Sequence, residues 1–127
     1  MDYTTLDTEV VGTLQRHWEN GWNRGDLDTI MAPFADEVVF SSPAVAMVTG
    51  DPDKRVIEGA AALREYVAYA LGRTPGIAYT LDATYVGSDD IVILYTCTYP
   101  DGRPAKSGAD TMRVNDAGKV VEWRCHY

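Results

Sequence analysis

The sequence predicts an α+β protein, on three observations. Apolar residues recur at helical spacing in three segments of the first half. The second half is a run of strands joined by Gly-, Asp- and Pro-containing turns. Those strands reach about nine or ten residues, long enough at about 3.3 Å per residue to bend around a cavity. Three helices followed by a long antiparallel meander is the layout in which helices pack on one face of a sheet.

The first helix is expected to open at Thr4 or Thr5, with Asp7 placed to help cap its free amides. At about 100° per residue, Leu6, Val10, Val11, Leu14, His17, Trp18, Gly21 and Trp22 share one arc, while Glu9, Arg16, Glu19, Asn20 and Asn23 face the other way. Gly25 supplies a left-handed stop. Asp26 then caps a second, shorter helix carrying Leu27, Ile30, Met31 and Phe34, and Pro33 helps end it. Glu37 to Ser41 reads as a strand closed by Pro43, which cannot donate to a ladder. From Pro43 to Lys54 a loop is expected. It carries Val45, Met47 and Val48, so it is expected to fold over something apolar, such as a pocket mouth. Arg55 to Glu58 is a short strand, and Gly59 precedes a third helix, Ala60 to Leu71, with Leu63, Tyr66, Val67 and Ala70 on one face. The meander then runs through Ile77 to Val86, Ile91 to Tyr99, Ala105 to Val114 and Lys119 to Tyr127.

Bulk properties narrow the function classes. The 127 residues suit one domain. A net charge of −8, with no basic run, argues against a nucleic-acid partner. No apolar stretch approaches the roughly 20 residues of a membrane span, and MDYTTLDTEV lacks a signal pattern, so no membrane association and a cytoplasmic location are expected. Cys97 and Cys125 are not in CxxC spacing, so no metal site is expected and no cofactor is called for. Each reads as a small buried hydrophobe, with two ladders, about 10 Å, between them and hence no disulfide.

Strand parity locates a candidate site. Counting from the turn Asn115-Asp116-Ala117-Gly118 places Asp110 opposite Trp123 and Met112 opposite Val121. One face then carries Asp110, Met112 and Val114 with Val121, Trp123, Cys125 and Tyr127, and the neighbouring strand adds Ile93, Tyr95, Cys97 and Tyr99. That apolar face is expected to be the inside. Arg113, Glu122, Arg124 and His126 fall outside. Asp110 is the anomaly: a carboxyl among apolar groups loses hydration, its pKa rises, and it is either a candidate acid or base or a structural acid hydrogen-bonded to a nearby Tyr or Trp or facing a wet cavity. His17 or Tyr95 is a candidate partner for it, the competing and favoured reading of His17 being a partly buried structural histidine. Trp18, Trp22, Ser42, Met47, Tyr66, Tyr95, Cys97, Met112, Trp123 and Cys125 are the candidate lining of a pocket for a hydrophobic small molecule. The outer face is expected to show Val92, Leu94, Tyr79, Leu81 and Tyr85, apolar enough to suggest a homodimer.

The stretch WNRGDLDTIMAPFADEVVFSSPAVAMVTGDPDKRVIEG, from Trp22 to Gly59, resembles the nuclear transport factor 2-like superfamily, which includes ketosteroid isomerase and the SnoaL-like polyketide cyclases. The resemblance extends over nearly the whole chain and implies a cystatin-like cone, a curved antiparallel sheet around a pocket. ADTMRV is similar to the isomerase strand that bears its oxyanion-hole aspartic acid, and Asp110 falls on that residue. The isomerase's proton-shuttling aspartate would fall on Ser42, and its oxyanion tyrosine near His17 or Trp18, so the familiar isomerase set is incomplete. Trp123-Arg124-Cys125 resembles the Trp-Arg-Asp run of limonene epoxide hydrolase, but Cys125 replaces its aspartate, and Tyr95 and Cys97 stand near its other two positions. The resemblance therefore implies an isomerase- or cyclase-like acid–base role for Asp110 on a cyclic or carbonyl-bearing molecule, or else a binding module without catalysis.

Overall fold

A computed structural model of the protein describes residues 5–127. Thr4 lies outside the described residues, and Asp7 itself caps the first helix, accepting a hydrogen bond from the Glu9 amide at 2.8 Å. Helix α1 spans Thr8–Arg16 and passes directly into a π-helical turn, His17–Gly21, and a 3-10 turn, Trp22–Arg24. The widened turn leaves His17, Trp18, Gly21 and Trp22 buried together. A Cβ at Gly21 would lie 2.7 Å from the Ile30 side chain, so only glycine lets the next helix close against this turn. That helix, α2, is Leu27–Met31, capped by Asp26 after the left-handed Gly25.

Strand β1 is Phe34–Ser41, three residues earlier than expected. Pro33 ends the helix, and Phe34 already pairs with Val120, but the register shifts before Val39 and breaks the alternation that would have marked the strand. The segment expected as a loop after Pro43 contains a helix, α3, Ala44–Thr49. Its first amide donates to Ser42 Oγ at 3.1 Å and the left-handed Gly50 closes it. Six residues rich in β-branched and small side chains carry too little periodicity to announce a helix. Strand β2, Val56–Glu58, leads into α4, Ala60–Arg73. The meander is β3, Ala78–Val86; β4, Asp90–Thr98; β5, Lys106–Val114; and β6, Val120–His126.

These form one curved, open six-stranded sheet in the order β2-β1-β6-β5-β4-β3. It is mixed rather than wholly antiparallel: β1 runs parallel to β6, because the chain crosses from the first half of the sheet to the last strand. The core between sheet and helices is built on Leu14, Ile30, Leu63, Ile91, Ile93 and Met112, all fully buried.

Two bulges alter the expected register. In β5–β6 the shift after Arg113 pairs Met112 with Trp123 and Asp110 with Cys125, two residues from the expected pairing. A two-residue slip preserves the face, so Trp123 and Cys125 still point inward, while Val120 replaces Val121 as the buried residue. In β3 the shift at Asp82 reverses parity. Tyr79 and Leu81 pair with Cys97 and Tyr95 and belong to the inner face, while Tyr85 pairs with Val92 outside. Two of the five residues expected to make the outer face apolar therefore turn inward, leaving Val92, Leu94 and Tyr85. Arg113 and Glu122 are cross-strand partners, 3.8 Å apart, and His126 is exposed. Both cysteines are free. No helix among the described residues is long and apolar enough to cross a membrane.

Candidate functional site

The concave face of the sheet, the π and 3-10 turns that follow α1, α3 and α4 enclose a cavity of about 340 Å³. Its interior is aromatic. Trp18 packs on Tyr95 and Tyr79 with ring centroids 5.0 and 5.1 Å apart, and Phe40 touches Tyr66 at 5.3 Å and Trp123 at 4.4 Å. Asp110 is the one carboxyl among the lining side chains, and it is 0% exposed.

Three donors converge on this carboxyl. Tyr95 Oη donates to Oδ1 at 3.1 Å; Trp123 Nε1 donates to Oδ2 at 2.8 Å, and Cys125 Sγ to the same oxygen at 3.2 Å. The sequence arranges this in a specific way. Cys125 is the direct cross-strand partner of Asp110, whereas Trp123 and Tyr95 stand one pair off and reach it diagonally with long side chains. Tyr95 lies over Gly108, its own partner on β5, where a Cβ would come within 2.6 Å of the phenol ring. Only glycine leaves room for the hydroxyl to reach the acid.

Desolvation pushes Asp110 up to about 6, although the bonds from Trp123, Cys125 and Tyr95 each pull it back. Burial holds the surrounding groups in their protonated forms. Tyr66 is raised to about 12, Tyr79, Tyr95 and Tyr127 are raised further, and the Cys97 and Cys125 thiols also move up. The thiols are thus poor nucleophiles, and the groups immediately around Asp110 are neutral O–H, N–H and S–H donors. The Trp18 indole N–H has no hydrogen-bond partner among the described residues.

Of the residues expected at the site, Trp18, Trp22, Met47, Tyr66, Tyr95, Cys97, Asp110, Trp123 and Cys125 line the cavity. Met47 does so from α3 while remaining 72% exposed. Met112 is instead packed in the core, fully buried. Ser42 lies behind the lining, where its hydroxyl pairs with Tyr127 Oη at 2.7 Å. His17 does not meet Asp110. Its Nδ1 donates to the Ile30 carbonyl at 2.8 Å and its Nε2 accepts from Trp22 Nε1 at 3.1 Å, so both nitrogens are committed. Burial drives its pKa down to about 4, which keeps the ring neutral and in that tautomer. Tyr79 and the mouth residues Arg73, Arg103 and Lys106 also line the cavity without having been expected there. The bulge hid Tyr79. Lys106 was legible, since it shares parity with Gly108 and Asp110 on β5.

A curved, open six-stranded sheet with helices packed on its concave side is the fold of nuclear transport factor 2-like proteins. Within it, residues 14–123 match the SnoaL-like domain, and the chain belongs to that family. Solved structures agree. A SnoaL-like protein of unknown function from Burkholderia thailandensis superposes with a TM-score of 0.81 at 26% identity, covering 98% of each chain. An NTF2-like protein of unknown function from Mesorhizobium loti gives 0.72 at 23% identity over 94% of this chain and 90% of its own. A candidate ketosteroid isomerase from Kribbella flavida gives 0.72 at 15% identity over 95% and 78%, a likeness of fold alone.

Proposed function

We propose that this protein binds a small hydrophobic cyclic or carbonyl-bearing molecule in the cone and acts on it by acid–base chemistry, as an isomerase or cyclase, with Asp110 as the proton store. One observation carries the reading: the single acid of the cavity is fully buried, which pushes its pKa up, and of the three cavity-lining donors that hold it two, Tyr95 and Cys125, have rotatable hydrogens. An ionised Asp110 accepts from all three. Once protonated it donates to the Tyr95 oxygen, and the phenol hydrogen turns toward a ligand oxygen, stabilising negative charge there.

The test combines thermal-shift screening against steroid-like, terpenoid and polyketide-like compounds with turnover of any hit. Asp110→Asn should abolish turnover and spare binding, and unchanged turnover would remove Asp110 from the mechanism. The zero exposure of Asp110 favours a second reading, a binding module in which the acid only orients Tyr95, Trp123 and Cys125. A hit recovered chemically unchanged after long incubation would select it.

A further inference from the structure

The charge distribution around the cavity is lopsided. The chain carries 11 Lys and Arg against 19 Asp and Glu, yet three of those cations, Arg73, Arg103 and Lys106, line this one cavity, where the only acid is Asp110. Lys106 faces the same side of β5 as Gly108 and Asp110, four residues away, which is about 13 Å along an antiparallel strand. Arg73 comes from the last turn of α4 and Arg103 from the connection between β4 and β5. Both also line an adjoining hollow of about 270 Å³, so they stand where the two spaces meet. Arg103 is pre-positioned: its guanidinium lies 4.2 Å from the Tyr99 ring centroid, and its Nε binds Asp101 at 2.8 Å, leaving the two terminal nitrogens for another partner. Arg73 leans on Tyr69 at 5.8 Å. The Lys106 side chain makes no hydrogen bond or ion pair among the described residues. All three are exposed, and Asp101 is the one acid lining the adjoining hollow with Arg73 and Arg103.

From this we infer that the ligand is an anionic amphiphile: an apolar ring system in the aromatic interior, with a carboxylate or another oxyacid group held at the mouth by Arg73, Arg103 and Lys106. The inference rests on the small-molecule reading above and specifies its substrate class. The two ends of the cavity then have separate jobs. The cationic mouth fixes which way round the ligand lies, with its anion at the mouth and its other end toward Tyr95 and Asp110.

A matched pair of fluorescent probes separates the two ideas. Anilinonaphthalene sulfonate and N-phenylnaphthylamine share one ring scaffold and differ in the sulfonate. The wild-type protein should bind the sulfonate tighter, and rising salt should weaken that probe alone. The Arg73→Gln, Arg103→Gln, Lys106→Gln triple variant should lose about tenfold in affinity for the sulfonate and almost none for the neutral probe. Because all three side chains are exposed, the variant's unchanged melting temperature would certify its fold. If both probes bind equally, or if the preference for the sulfonate survives the triple substitution, the anionic-ligand inference fails while the small-molecule reading stands. If neither probe binds, and none of the screened compounds does, both fail together.

Discussion

His17 and Asp110 are both 0% exposed, and both touch Trp123: the imidazole centroid is 5.0 Å from the indole, and the carboxylate accepts its N–H at 2.8 Å. Burial alone does not separate a structural group from a reactive one, but the partners do. His17 holds a backbone carbonyl and an indole N–H, neither of which can reverse its hydrogen bond. Asp110 holds one such fixed donor, Trp123, and two rotatable ones that also face the cavity. The histidine is therefore locked in one protonation state and one tautomer. The acid can change state without orphaning its neighbours.

Trp123 joins the two regions, and its removal should have the largest effect. It stacks on Phe34 with centroids 5.2 Å apart, packs on Phe40 and His17, and caps the acid. Trp123→Ala should cost about 3–5 kcal/mol in chemical denaturation, as expected when a large buried aromatic is deleted. A loss below about 1 kcal/mol would mean that the two regions do not share this wall.

The two groups should also pull stability in opposite directions with pH. Folding lowers His17 from 6.5 to about 4, so the unfolded chain takes up the proton first and stability is lost as pH falls from 6.5 toward 4. Folding raises Asp110 from 3.8 to about 6, so stability is full below 3.8 and is lost as pH rises toward 6. Each contribution amounts to about 3 kcal/mol, so the wild type should be nearly flat between pH 4 and 6. Asp110→Asn should expose the acid lability of His17, and His17→Gln should leave a protein that becomes more stable on acidification. Parallel curves for the wild type and both variants would refute the assignment of either group.

Legibility followed the same division. The inward direction of Asp110 was readable, because an even register slip leaves parity intact and the neighbours Met112 and Val114 are apolar. For His17 a buried structural role was readable as the favoured one, but its partners were not: the widened turn and the Ile30 carbonyl that claims Nδ1 depend on how α2 packs. Tyr79 was misplaced for a third reason. A single extra residue at Asp82 reverses a strand's faces and leaves no mark in an alternating sequence. The elements themselves were largely legible because long strands and long helices declare themselves locally, and the exceptions, α3 and the start of β1, are a six-residue helix and a bulged strand.

Gly108 tests whether the close approach of Tyr95 matters to the acid. A methyl there would meet the phenol ring at 2.6 Å and push it aside. Gly108→Ala should cost about 1–3 kcal/mol by overpacking, and should raise the Asp110 pKa by displacing a donor. A variant as stable as the wild type, with an unmoved acid, would show that β5 yields easily and that the glycine is incidental.

The smallest perturbation sharpens the comparison most. Tyr95→Phe keeps the ring that packs on Trp18 and Tyr79 and removes only the oxygen that donates to Asp110. The stability cost should be about 1 kcal/mol, because the acid retains Trp123 and Cys125. The Asp110 pKa should move above about 6, since the lost hydrogen bond favoured the charged form; the midpoint can be followed by carboxyl carbon NMR. If Tyr95 passes the proton between acid and ligand, turnover falls about a hundredfold or more at every pH, far beyond what a shifted midpoint explains. If the acid only props up the wall, the pKa moves while ligand affinity and turnover hold. His17 offers the control: His17→Gln is expected to change stability with pH and to leave the Asp110 midpoint where it is.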